Sequence, residues 1–78
     1  MSDRITHKIV RNLATLGKSS GTGWNKELNL VSWNGREPKL DVRDWPADHG
    51  KCGKGTTLTY EEARDLCRAL TVYLREGE

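Results

Sequence analysis

The feature that most constrains this chain is one long amphipathic segment at its end, preceded only by strand-like sequence. Residues 59–77 place Tyr60, Ala63, Leu66, Cys67, Leu70, Tyr73 and Leu74 at helical spacing, which makes one apolar stripe. Thr59 with Glu62 three residues on is a capping box. Glu61, Glu62 and Asp65 suit the positive end of the helix dipole, and Gly77 suits the stop. A single helix covers only one face of a sheet, so the sheet that precedes it must offer its other face to water or to a ligand.

Four strands are expected before that helix. Residues 5–16, with Ile5, Ile9, Val10, Leu13 and Leu16, read as a strand with a bend. Residues 17–23 are small, polar and glycine-rich and read as a hairpin connection; they lack the spacing of a Walker phosphate cradle. Residues 24–34 alternate, with Lys26, Leu28, Leu30, Ser32 and Asn34 on one side and Asn25, Glu27, Asn29, Val31 and Trp33 on the other. Neither side is cleanly apolar, which predicts a bulge or strong twist near Asn29. Asn34-Gly35 is a hairpin turn, since both residues tolerate positive φ. In residues 39–45, Leu40 and Val42 face one way, and Lys39, Asp41, Arg43 and Trp45 face the other. Residues 51–58 read as a short last strand.

At 78 residues the chain is expected to be one domain, 1–78, with flexible ends at 1–4 and 77–78. A core of this size commonly needs a staple. Cys52 and Cys67 make neither a disulfide framework nor a zinc spacing, so a second copy of the chain is the expected staple. The net charge of +2 is mild, but five of the eleven acids (Glu61, Glu62, Asp65, Glu76, Glu78) follow residue 59, which leaves the strand region more basic than the whole. The first sixteen residues have no apolar signal region, and no run approaches the length of a membrane helix. A soluble, cytoplasmic protein with no membrane association is expected.

All three tryptophans lie among cations in the strand region. Trp24, Trp33 and Trp45 either fill a core that has no phenylalanine or stack bases. Trp45 is the best placed for exposure, because it shares parity with Lys39 and Arg43. Stacking on an exposed indole tolerates any base. Lys26, Lys39, Arg43, Lys51 and Lys54 are either a solvated face or phosphate contacts, with Ser32 and Asn34 as polar neighbours. Asp48-His49 beside Cys52 invites a catalytic or metal reading. A Cys–His pair needs a third partner, however, and zinc needs about four ligands; neither set is visible. Cys67 on the apolar helix face is expected to be a buried, inert thiol. No catalytic residues, metal or cofactor are expected, and the reading is a binding module rather than an enzyme.

Several stretches carry a resemblance: Gly23-Trp-Asn-Lys-Glu-Leu-Asn, Val31-Ser-Trp-Asn, Glu37-Pro-Lys-Leu-Asp-Val-Arg, Trp45, Pro46-Ala-Asp-His and Lys54-Gly-Thr-Thr-Leu-Thr. In that order and spacing the chain resembles the positive cofactor 4 family (transcriptional coactivator p15-type), in its bacterial YdbC-like branch. The resemblance implies an α+β fold, a four-stranded antiparallel curved sheet followed by one helix (ββββα), paired as a homodimer. It also implies sequence-tolerant single-stranded DNA binding without catalysis. It maps the family's Asp-Ile-Arg strand onto Asp41, Val42 and Arg43, its following aromatic onto Trp45, and its Lys-Gly strand onto Lys54. Cys52 stands where relatives commonly carry methionine, and the serine-rich regulatory tail of eukaryotic members is absent.

The expected function is therefore single-stranded DNA binding, with RNA as a further ligand, in transcription, replication or repair near the nucleoid. Trp24, Lys26, Ser32, Trp33, Asn34, Lys39, Arg43, Trp45, Lys51 and Lys54 are the candidate contacts. Leu70, Val72, Tyr73 and Leu74 are the candidate dimer surface. The rival is a protein-interaction module that docks transcription or replication machinery. A duplex reader is disfavoured by the acidic start of the helix.

Overall fold

The computed structural model describes residues 5–17 and 23–77. The glycine-rich connection at 18–22 and the ends 1–4 and 78 lie outside the described residues. Four strands, β1 (His7–Leu16), β2 (Trp24–Trp33), β3 (Lys39–Pro46) and β4 (Gly55–Leu58), are followed by α1 (Tyr60–Glu76). The strands pair in sequence order as one antiparallel sheet. The ββββα order is the expected one.

The expected irregularity near Asn29 lies on β1, the strand paired with it and the one expected to bend. β2 is regular against β3 over the whole ladder from Trp24↔Pro46 to Val31↔Lys39. The irregularities lie on β1, between Ile9 and Arg11 and between Asn12 and Ala14. A central strand is bonded on both sides and resists an extra residue, whereas an edge strand accommodates one by bending. Asn34 (φ 53°) and Gly35 (φ 74°) form the expected tight turn, closed by Arg36 N–H donating to the Trp33 carbonyl at 2.9 Å. The last strand is only four residues long rather than eight. Residues 47–54 instead form a loop, tied to β3 by Gly53 N–H to the Asp44 carbonyl (3.0 Å) and Asp44 N–H to the Lys54 carbonyl (3.0 Å). A side chain at Gly55 would run into the Val42 carbonyl, so β3 and β4 meet only because the residue is glycine.

The ladders define two faces, since directly paired residues point the same way. One face carries Leu16, Leu28, Leu30, Leu40, Val42 and Leu58, and α1 lies on this side. The capping box is present: Glu62 N–H donates to Thr59 Oγ1 (3.0 Å) and Thr59 N–H to Glu62 Oε1 (2.8 Å). Gly77 is the expected stop: it is the C-cap and donates its N–H to the Tyr73 carbonyl at 2.7 Å. The helix does not seal the sheet as expected, and none of its residues is buried. Leu66, Leu70 and Leu74 are 43, 48 and 56% exposed, and Cys67, expected to be buried, is exposed too. The helix starts two residues after a very short strand, so it is anchored at one end and approaches only β3 and β4. An apolar groove of about 340 Å3 remains between its leucines and those of the sheet.

The buried residues all belong to the other face: Val31, Trp45, Glu27, Asn29 and Asp41. The His7 side chain and the 47–54 loop lie over this face. Trp45, expected to be exposed, is 0% exposed. Its parity is the expected one, but the rings of His7 and His49 lie 5.0 and 5.6 Å from it and cover it.

Candidate nucleic-acid interface

The face opposite the helix is held by polar groups rather than by leucines. Asp41, fully buried on β3, takes Arg43 Nε at 3.0 Å and Nη2 at 2.9 Å. Thr57 Oγ1 on β4 donates to the same carboxylate at 3.1 Å. Arg43 Nη1 donates to the Gly53 carbonyl at 3.0 Å, and its guanidinium lies 4.9 Å from the Trp33 ring. The bonds from Asp41 hold the Arg43 guanidinium above its ordinary pKa against the opposing effect of burial. Most of this cation's hydrogen-bonding capacity is already engaged. The guanidinium expected as a phosphate contact is thus held by Asp41 and the Gly53 carbonyl and lies against the Trp33 indole.

A second chain of bonds crosses the sheet. Asn12 Nδ2 donates to Asn29 Oδ1 (2.7 Å), and Asn29 Nδ2 to Glu27 Oε1 (3.0 Å). His49 Nε2 meets the Glu27 carboxylate at 2.9 Å, and His7 Nε2 meets the His49 carbonyl at 2.9 Å. His49 has φ 55°, a conformation rarely adopted by a residue with a side chain. These bonds hold the 47–54 loop, and with it Lys51 and Lys54, against the sheet. The sequence reading missed Asn12, Glu27, Asn29 and His7. The available signal was the run Asn25, Glu27 and Asn29 at successive positions on one side of β2, a pattern that only a satisfied network can bury.

The expected contact residues do not fall together. Trp33, Lys39, Arg43 and Trp45 share the site face; Trp33 is half-buried, Lys39 is exposed, and Trp45 is covered. Lys51 and Lys54 are exposed on the loop beside that face. Trp24 shares the side of Lys26 and Leu28 at the start of β2, where its ring would meet any Cβ at Gly53. Lys26 and Ser32 lie on the helix side instead. Lys26 pairs with Asp44 at 3.3 Å, and Ser32 Oγ donates to the Arg36 carbonyl at 2.6 Å. Asn34 closes the turn and pins the chain start through Thr6 N–H to its Oδ1 (2.8 Å). Cys52 and His49 do not form a joint centre, because His49 turns to Glu27 while Cys52 is exposed. Among the described residues no group of three or more His, Cys, Asp or Glu side chains is arranged to hold a metal ion. No helix among them is long and apolar enough to cross a membrane.

The architecture is a four-stranded antiparallel sheet with an indole, a carboxylate-held guanidinium and exposed lysines along one side. The family model for Transcriptional Coactivator p15 (PC4) matches residues 20–69, which span β2 to β4 and the first half of α1. An uncharacterized protein of Treponema pallidum (strain Nichols) is 43% identical over 75 residues, covering 92% of this chain and 87% of the relative. The chain belongs to the p15 coactivator (PC4) family, and this relative supports its bacterial branch. That family is one of nucleic-acid-binding, non-enzymatic proteins, so membership supports nucleic-acid binding in general terms for this chain.

Proposed function

We propose that this chain is a sequence-tolerant single-stranded DNA-binding protein, active as a homodimer in bacterial transcription, replication or repair. The observation that carries the reading is the coincidence of the family match with the site face: residues 20–69 contain Trp33, Lys39, Arg43, Lys51 and Lys54. Trp33 would stack a base, with Arg43 behind the ring holding it in place. Lys39, Lys51 and Lys54 would neutralise phosphates as the strand crosses the sheet. Trp45 would act as the core on which the site is built.

The homodimer has its own support. A groove lined by Leu28, Leu40, Val42, Leu66, Leu70 and Leu74, on a helix with no buried residue, is apolar surface that a lone small domain does not usually leave open. A second copy would bury it through the same face of both chains. Two site faces in one dimer would then hold a long or bent strand more tightly than either alone.

Titration with oligo-dT and with a duplex of the same length, at low and high salt, tests the reading. The expected result is tryptophan quenching by the single strand, weakened by salt, with amide NMR shifts on β2, β3 and residues 49–55. Tighter binding to the duplex, or shifts confined to α1, would overturn it. The second outcome would favour docking of a protein partner in the apolar groove.

A further inference from the structure

We propose that the hollow over Glu27 is a subsite for one unstacked nucleobase bearing an exocyclic amine, so that the protein prefers adenine, cytosine or guanine to thymine or uracil at one position of the bound strand. The inference rests on the single-strand reading above and specifies what that face selects. The hollow has a volume of about 410 Å3 and is lined by Ile9, Asn12, Thr15, Glu27 and His49. It belongs to the site face: Ile9 pairs with Val31, Asn12 with Asn29 and Thr15 with Glu27. Cavities of a few hundred Å3 hold small ligands, so a base with part of its sugar fits.

The chemistry of the hollow is wrong for phosphate. The one buried residue of its lining is Glu27, 7% exposed. An ionised carboxylate only accepts hydrogen bonds and repels anions. What it can take from a nucleic acid is an N–H on a base edge, as Glu and Asp do with the cytosine amine. Single strands leave those edges free. Thymine and uracil place a carbonyl where cytosine places its amine, and their one edge N–H, at N3, is flanked by two carbonyl oxygens that a carboxylate repels, so an acceptor in the hollow favours the amine-bearing bases.

The rest of the lining suits a flat ring. Ile9 supplies apolar surface, and the His49 imidazole supplies an aromatic wall, itself propped 5.6 Å from Trp45. Glu27 is fixed in place by Asn29 Nδ2 at 3.0 Å and His49 Nε2 at 2.9 Å, so it meets a ligand without rearranging. Asn12 and Thr15 are exposed at the mouth, where an amide and a hydroxyl can meet the ring nitrogens or carbonyl of the same base. A role confined to holding His49 accounts for the bonds of Glu27 but not for the hollow beside them.

The test uses the full chain and oligo-dT carrying one central replacement by cytosine, adenine or guanine, with N4,N4-dimethylcytosine as a further arm. At least one amine-bearing base should bind about tenfold more tightly than thymine, within the range of a good base contact. Dimethylation should remove the gain for cytosine. Glu27→Gln keeps an acceptor for Asn29 and presents an amide N–H to the hollow, so it should abolish or reverse the preference. Equal binding of all replacements overturns the subsite and leaves single-strand binding standing. A Glu27→Gln loss that is equal for every oligonucleotide also overturns it. Failure to bind any single strand overturns the underlying reading as well.

Discussion

Asp41 grips Arg43 from two residues back along the same strand, with Nε and Nη2 of the guanidinium at 3.0 and 2.9 Å from its two carboxylate oxygens. The two residues share a face because they are two apart on β3. Asp41 is fully buried, and the Arg43 side chain is 16% exposed. The fork therefore lies largely out of water, where charge-assisted bonds are strong and an orphaned partner is costly.

Arg43→Ala should consequently destabilise the fold by about 3 kcal/mol, since it leaves a buried carboxylate with only Thr57. Asp41→Asn should cost less, because Arg43 can still reach water. The pH dependence has a definite sign. The folded pKa of Arg43 is raised, so its contribution is fully present below the ordinary arginine value and is lost only as pH climbs through the raised one. Urea midpoints of Arg43→Ala and the parent chain should therefore stay separated by a constant interval from about pH 6 to pH 10. An interval that closes within that range would contradict the assignment.

Trp33 and Trp45 should part company on substitution. Trp45→Ala empties a core position between two imidazoles and should cost about 3–5 kcal/mol of stability. The molecules that remain folded should bind oligo-dT nearly as well as the parent chain. Trp33→Ala should cost little stability but remove one stacking partner, about 1–3 kcal/mol of binding. Thermal melts and fluorescence titrations on the same two samples separate the outcomes. A reversed pattern would make Trp45 the stacking ring.

The strand order, the Asn34-Gly35 turn and the capping box were legible because each depends on local chemistry. Side-chain parity was legible for the same reason: Leu40 and Val42 oppose Asp41 and Arg43 as alternation requires. The exposure of Trp45 was not. It depends on a connection, 47–54, that folds back over the sheet, held by His49 meeting Glu27 across twenty-two residues of sequence. No local pattern encodes a contact of that range. The bend in β1 and an irregularity near Asn29 were both legible, but that they are one feature, a bulge on β1 opposite Asn29, shows only in the pairing. Lys26 and Arg43 read alike in sequence, yet one pairs with Asp44 on the helix side and the other braces Trp33.

That separation makes the lysines a sharp test. Lys39→Gln, Lys51→Gln and Lys54→Gln should each weaken single-strand binding and lower the slope of log affinity against log salt by about 0.7, the value of one phosphate contact on a single strand. Lys26→Gln removes the same charge from the opposite face and should leave the slope unchanged. Salt titrations of the four variants decide the matter. An equal change for Lys26 would mean that only net charge is being read.

The helix supplies the remaining prediction. Leu70 lines the groove between α1 and the sheet, yet it is about half exposed, so a charge there should be tolerated by one chain standing alone. In a dimer closed through that groove, the same charge would be buried without a partner. Leu70→Asp should therefore keep its circular dichroism spectrum but halve the mass measured by light scattering. Its melting temperature should no longer rise with protein concentration, whereas that of the parent chain should. Weakened binding to long oligonucleotides, with binding to short ones preserved, would follow from the loss of the second site face. A parent chain that is monomeric at every concentration would refute the pairing and leave the groove open to a different protein.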